Sequence, residues 1–306
     1  MGNPTGIAVG PARRQDAGAI AEFLRIVPRG PGGTPAAGDT GSPDVRRHVV
    51  AVAGNEIIGT CLVIPGAGRC AAVPPPRMLE WDGDVAARLI RAAGALACRT
   101  HRARLIQSLV DLDGADAMTA ALEGAGFEFL ATLSYLRRGI GPVDTGGETR
   151  PGLAWQRYSF LRHRRFADTI ARTYEGSLDC PKLAGLREID DTIETHKRTG
   201  RFSPKTWRLA VADRQPRGVA MVNELEGRAE LIYLGVVPEA RGRGIGRALL
   251  AQAMRDAATM GLTQVGLAVD VNNIPATRLY AAAGFTEVRR RLAWFVPAAR
   301  LASLAD

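Results

Sequence analysis

The chain has few cysteines, little lysine and no long apolar run. Its four cysteines, Cys61, Cys70, Cys98 and Cys180, include no C-x-x-C and no Cys/His pair at zinc spacing. Neither a disulfide framework nor a metal site is expected, and the four read as reduced structural thiols. No stretch approaches the ~20 consecutive apolar residues of a membrane helix. The opening MGNPTGIAVG lacks both the basic and the continuous apolar segment of a secretory signal. These absences exclude a transmembrane protein and point to the cytoplasm. The 40 basic residues, nearly all arginine, outnumber the 31 acidic ones and leave a net charge of +9. Such an excess favours an anionic partner: nucleic acid, an acidic membrane surface or a small polyphosphate. The arginines are scattered rather than gathered into a stripe, so most read as solvated surface and a nucleic-acid footprint is not expected.

A length of 306 residues suggests two domains, and a composition of 46% hydrophobic and 23% charged residues suits globular cores. An internal repeat supports the division. MTAALEGAGFEF (118–129) is echoed by ATRLYAAAGFTEV (276–288), each an apolar helix closed by Ala-Gly-Phe and followed by a strand. A strand-like run precedes each copy, LIQSLVDLD at 105–113 and QVGLAVDV at 264–271, with a longer helix before it.

In the first half, strands are predicted at 7–9, 48–53 and 57–64, the last two joined by Gly54-Asn55-Glu56, with helices at 16–26 and 84–101. The Pro/Gly-rich 28–43 reads as a connector or a lid, and the polar 139–152 as the interdomain linker. In the second half, strands are predicted at 155–160, 207–212, 218–225, 230–237 and 264–270, with helices at 166–174, 186–196 and 244–260. Antiparallel strands followed by strand–helix–strand predict an α/β fold with a mixed sheet, not a doubly wound parallel one. The division expected is 1–140, a linker at 141–151, and 152–306.

The sharpest signal is ELIYLGVVPEARGRGIGRALL (230–250), a strand stopped by Pro238, a glycine-rich turn and an amphipathic helix. A helix N-terminus offers unpaired N–H groups and partial positive charge, and glycines let a phosphate approach them. Arg241, Arg243 and Arg247 add guanidinium groups suited to phosphate oxygens. No lysine stands where the nucleotide P-loop needs one, and Arg247 occupies the third glycine position of a dinucleotide loop. Asp270, at the end of the next strand, keeps the dinucleotide option open; a plain glycine turn is the bland alternative.

Arg241, Gly244 and Gly246 in R-x-x-G-x-G, after a strand ending in Val-x-Pro, resemble the acetyl-CoA pyrophosphate loop of the GNAT superfamily of N-acetyltransferases. VNNIPATRLYAAAGF (271–285) resembles its second signature, Asn-x-x-Ala-x-x-x-Tyr-x-x-x-Gly-Phe. The resemblance covers 152–297 well and the first half in outline. It implies direct transfer of an acetyl group from acetyl-CoA to an amine, with a general base and a general acid. By that likeness Glu230 is the base, with Glu224 in reserve, and Tyr280 the acid; packing of Tyr280 against Phe285 at i+5 would be a poor helical pairing. The strand is implied to splay, so that Leu234, Gly235 and Val236 meet the pantetheine arm, with Arg241, Gly242, Arg243, Gly244, Ile245, Gly246 and Arg247 around the pyrophosphate. Asn273 and Arg278 complete the implied cofactor set. The loop after the first helix of this half is where the superfamily builds its acceptor site, giving Tyr174, Glu175, Asp179 and Cys180 as substrate candidates. A covalent route through Cys180 is disfavoured, since no histidine lies near it in sequence.

Where the second half has its phosphate loop, the first reads AAVPPPRMLEWDGD (71–84), without Gly-x-Gly and with three prolines that remove amide donors. Leu122 falls at the tyrosine position. The first domain is therefore expected to be a degenerate, non-catalytic copy. A tandem arrangement with an active second copy resembles the mycothiol synthases, but Ala268 stands where an aromatic is expected of them. The function expected is N-acetyl transfer to a small primary amine through a ternary complex. The alternatives are a mycothiol synthase-like reaction on an amino-thiol precursor and a non-catalytic acyl-CoA sensor.

Overall fold

The computed structural model describes residues 6–28, 44–141, 144 and 151–303. Most of the 28–43 segment and of the expected linker lies outside the described residues. The chain divides into two compact units, 1–131 with 291–306, and 132–290. No helix among the described residues is long and apolar enough to cross a membrane, and all four cysteines are free.

The first unit runs β1 (Ile7–Pro11), α1 (Ala17–Ile26), β2 (His48–Ala53), β3 (Glu56–Leu62), β4 (Ile64–Pro65), β5 (Cys70–Ala72), β6 (Arg77–Met78), α2 (Gly83–His101), β7 (Leu105–Asp111) and α3 (Ala115–Gly124). The β2–β3 hairpin turns at Gly54, whose φ of +60° suits glycine. The longest helix, α2, buries Val85, Leu89, Ile90, Ala93 and Ala97 at helical spacing against Val49 and Ala51 of β2 and Met118 and Leu122 of α3. β5 and β7 pair in parallel on either side of α2 in the chain.

The second unit takes the end of β8 (Glu128–Gly139), then β9 (Ala154–Arg157), α4 (His163–Tyr174), α5 (Ile189–Arg198), β10 (Trp207–Ala212), β11 (Gln215–Leu225), β12 (Arg228–Val236), α6 (Ile245–Thr259), β13 (Gln264–Asp270), α7 (Ile274–Ala282) and the start of β14 (Thr286–Pro297); α8 (Ala298–Ser303) returns to the first unit. The strands lie in the order β9-β10-β11-β12-β13-β8. Both hairpins close through two residues of positive φ, Asp213-Arg214 and Glu226-Gly227, so β11 begins at Gln215 and not at 218. Phe160, expected to end a strand, sits in a short 3₁₀ turn instead. Two cores result. One packs Phe166, Ile170 and Ile193 of α4 and α5 on Trp207 and Leu209; the other packs Leu249, Leu250 and Ala253 of α6 on Val222 and Leu231.

The division differs from the expected 1–140 and 152–306. Leu133–Gly139 of β8 pairs with β13 in the second unit, and Arg291–Pro297 of β14 pairs with β7 in the first. Each unit thus closes its sheet with the strand that follows the other unit's Ala-Gly-Phe turn. The turns themselves match bond for bond. Phe127 N donates to Leu122 O at 2.9 Å, and Phe285 N to Tyr280 O at 3.0 Å. Gly126 and Gly284 have φ of +90° and +82°, as a helix C-cap of this kind demands.

Candidate active site

β12 and β13 pair only at Ala229↔Val265 and Glu230↔Gly266. Beyond Glu230, β12 stays on β11 as far as Val236↔Gly218 but has no ladder partner on β13 among the described residues. The β11 register skips Ile232 where it shifts at Met221/Val222, a bulge that bends the pair. A cavity of about 600 Å³ occupies the parted region, lined by Leu234, Gly235 and Val236 of β12 and by Ala268 and Val269 of β13. The expected splay is present.

The turn into α6 forms a further wall. Gly242 and Gly244 have φ of +69° and +75°, and Gly244 is the N-cap of a helix that no side chain caps. The first-turn N–H groups of α6 therefore lack carbonyl partners one turn back, and Gly242, Gly244, Gly246 and Arg247 line the cavity. Such a cradle fits a pyrophosphate. Three members of the implied cofactor set do not line it: Ile245 is core, and Arg243 and Arg278 are exposed.

Arg241 lines the cavity but departs from its expected use. Its guanidinium donates to the carbonyls of Val236 (3.1 Å), Gly176 (3.1 Å) and Thr173 (3.0 Å), tying the turn to the C-terminal end of α4. A cation at that end also meets the negative pole of the helix. The side chain acts as a clamp between two cavity walls.

Tyr280 lines the cavity from α7 and is 6% exposed. Burial, and then the charge of Asp179, push its phenol well above the usual tyrosine range. The expectation of poor packing on Phe285 is corrected: their rings meet edge-on with centroids 5.9 Å apart, because the Gly284 turn brings the chain back over the helix end. Asn273 lines the cavity too, and its Oδ1 caps α7 by accepting from Ala276 N at 3.4 Å.

Glu230 is not among the residues lining the cavity. Its carboxylate is 13% exposed, accepts from Arg228 Nε at 3.2 Å and lies over Gly266. Burial raises its pKa, opposed by Arg228. Glu224 is bound to Arg201. In the acceptor loop, Tyr174 and Asp179 line the cavity whereas Glu175 and Cys180 do not. Burial, with Asp179 and Asp270 nearby, pushes the Cys180 thiol up to about 12, away from nucleophilic thiolate. Burial likewise lifts the phenol of Tyr174 to about 12.

The sequence missed Tyr233 and Thr173, which share a hydrogen bond in the cavity wall. Strand periodicity beside Leu234 is the signal that could have found Tyr233. It also missed why Gly235 is glycine: a Cβ there would stand 2.8 Å from Thr173 and from the Tyr233 hydroxyl.

Residues 171–285, which include every residue lining this cavity, match the acetyltransferase (GNAT) family. This segment belongs to that family. The mycothiol acetyltransferase of Clavibacter michiganensis subsp. michiganensis is 31% identical over 180 residues, 58% of this chain and 56% of the relative. That of Gordonia bronchialis is 29% identical over 262 residues, 78% of this chain and 76% of the relative. In the first of these matches the chain spans little more than half the relative's length. Among solved structures, a GCN5-related N-acetyltransferase from Sphaerobacter thermophilus superposes with a TM-score of 0.63 at 18% identity, covering 97% of each chain. A tandem GNAT protein from the clavulanic acid biosynthesis pathway gives 0.51 at 17% identity, covering 95% of this chain and 98% of its own. These two likenesses establish the fold, a mixed α/β GNAT fold, along nearly the whole chain.

Proposed function

We propose that the protein is an N-acetyltransferase that moves an acetyl group from acetyl-CoA to a primary amine of a small molecule, by direct attack in a ternary complex. The observation that carries this reading is the parted β12–β13 pair leading to an uncapped α6 N-terminus, with Tyr280 in the same cavity. Gly242, Gly244, Gly246 and Arg247 would hold the pyrophosphate, and the open edge of Leu234 to Val236 the pantetheine arm. Acetyl-CoA supplies an activated acyl group as its thioester. Tyr280, kept protonated by burial, holds a proton for the departing sulfur. A carboxylate, Glu230 or Asp179, takes the proton that the amine sheds. The first unit is read as a non-catalytic copy.

The names of the relatives favour a second reading, acetylation of an amino-thiol precursor of the mycothiol type. Ala268 in the cavity wall, where an aromatic is expected of that group, leaves space that favours a different acceptor. Free thiol release from acetyl-CoA is the test, measured with glucosamine, tyramine and a lysine-containing peptide. Release above the blank, with mass-spectrometric detection of the acetylated amine, is expected. Binding of acetyl-CoA without any release marks a sensor instead.

A further inference from the structure

The resemblance to the GNAT superfamily implies Glu230 as the base, yet its carboxylate is paired with Arg228 and outside the cavity lining. Asp179 is differently placed. It lines the cavity, and its Oδ1 accepts from Asp270 N at 3.3 Å at the end of β13. Asp270 returns the contact by accepting from Cys180 N at 3.4 Å, so the acceptor loop is stitched to β13 on both sides of the Asp179 side chain. Among the described residues Asp179 has no ion-pair partner; its charge is felt by three phenols, Tyr174, Tyr233 and Tyr280. A carboxylate held by one backbone N–H, unneutralised and beside the acid, is a receptor for a cation entering the cavity.

Resting on the acetyltransferase reading, we propose that Asp179 receives the ammonium group of the acceptor and takes its proton, in the role the resemblance implies for Glu230. The acceptor enters as R–NH₃⁺, and Asp179 takes one proton, freeing the nitrogen lone pair. That pair forms the bond to the acetyl carbon while the carbon–sulfur bond breaks and its electrons leave on sulfur. The Tyr280 hydroxyl protonates the sulfur, and the surplus proton of the newly acylated nitrogen restores the phenol. The proton on Asp179 passes to solvent as products leave. Ammonium and thioester become amide, thiol and one proton. Desolvation raises the Asp179 carboxyl above its ordinary value, opposed by the Asp270 N–H it accepts from and aided by the Asp270 charge, a direction that makes it a better proton acceptor.

Asp179→Asn tests the assignment, since its amide oxygen can still accept from Asp270 N. With glucosamine, tyramine and the lysine peptide as acceptors, kcat/KM for the amine should fall roughly 10²- to 10⁴-fold. The acetyl-CoA Kd, measured by calorimetry, should stay within about twofold, and Glu230→Gln should cost less than about tenfold. Hydroxylamine, an acceptor largely unprotonated at neutral pH, should show a much smaller deficit in Asp179→Asn, which a merely structural role would not produce. Full activity in Asp179→Asn, a larger loss in Glu230→Gln, or an equal loss with hydroxylamine overturns the proposal. A wild-type protein that binds acetyl-CoA but acetylates neither these amines nor a cysteinyl amino-thiol overturns the acetyltransferase reading itself.

Discussion

In each unit a helix lies in the chain between two strands that pair in parallel, α2 between β5 and β7 and α6 between β12 and β13, and the two helix N-termini are filled differently. In the first, Asp82 caps α2: its carboxylate accepts from Asp84 N at 2.9 Å and Val85 N at 3.0 Å. In the second, Gly244 precedes α6 with no side-chain cap, and the free amides face a cavity. One helix satisfies its own donors with a built-in anion, and the other has no such cap. The same contrast recurs one helix later. Leu122 is fully buried in the first core, whereas Tyr280, at the equivalent turn, puts a phenol into the cavity wall. The same two turns are thus filled with core side chains and a built-in cap in one unit and left open on a cavity in the other.

The largest effect should come from Tyr280→Phe, which keeps the ring packed on Phe285 and removes only the hydroxyl. Its kcat should drop roughly 10²- to 10⁴-fold with little change in acetyl-CoA affinity. Leu122→Ala in the first unit should instead cost about 2–5 kcal/mol of stability and leave kcat unchanged. Steady-state kinetics and thermal unfolding of the two variants separate these outcomes; equal kinetic losses would erase the distinction between the units.

Transplanting the first unit's cap is the next largest perturbation. Gly244→Asp would place a carboxylate where the proposed reading seats the pyrophosphate, in a φ of +75° that a side chain adopts only with strain. Two charge-assisted hydrogen bonds lost amount to about 3 kcal/mol or more, so acetyl-CoA affinity should weaken at least about 100-fold by calorimetry. An unchanged Kd would remove the pyrophosphate from this turn.

Acid should also tell the units apart. Nε2 of His196 on α5 is sealed from solvent with no hydrogen-bond partner among the described residues, and burial, then Arg187, depress the ring's pKa to about 4. The folded protein keeps this histidine neutral while the unfolded chain protonates it near 6.5. Its contribution is whole above about pH 6.5 and is lost as pH falls toward 4, at up to about 1.4 kcal/mol per pH unit. Unfolding of the second unit, followed by hydrogen exchange, should become easier across that window, and His196→Leu should flatten the dependence.

The repeat, the element order and the glycine-rich turn before α6 were legible because local chemistry decides them. Gly244 sets a helix start, Gly284 a helix end, and Asp213-Arg214 a hairpin only where φ turns positive. Long-range pairing was not legible. Nothing local in Leu133–Gly139 says that it joins β13 and not β7, since the same alternation suits either edge. At the site, the R-x-x-G-x-G pattern does not announce that the Arg241 guanidinium meets carbonyls of Thr173 and Gly176 some 65 residues away in the chain. Glu230 shows the same limit. Its place before the loop is a matter of sequence, but its engagement with Arg228 is a matter of packing.

The smallest predicted effect sharpens the comparison most. Asp82→Ala removes a cap worth about 1 kcal/mol, so the first unit should melt a few degrees lower. The uncovered amides of α2 do not thereby become a phosphate site. Pro74, Pro75 and Pro76 supply no N–H groups to the segment leading into that helix, and Leu122 gives no acid. The variant should therefore bind acetyl-CoA with the wild-type affinity and a stoichiometry of one. A second equivalent bound to Asp82→Ala would mean that the cap alone keeps acetyl-CoA off the first unit; one equivalent would mean that the turn, the prolines and the helix end keep it off together.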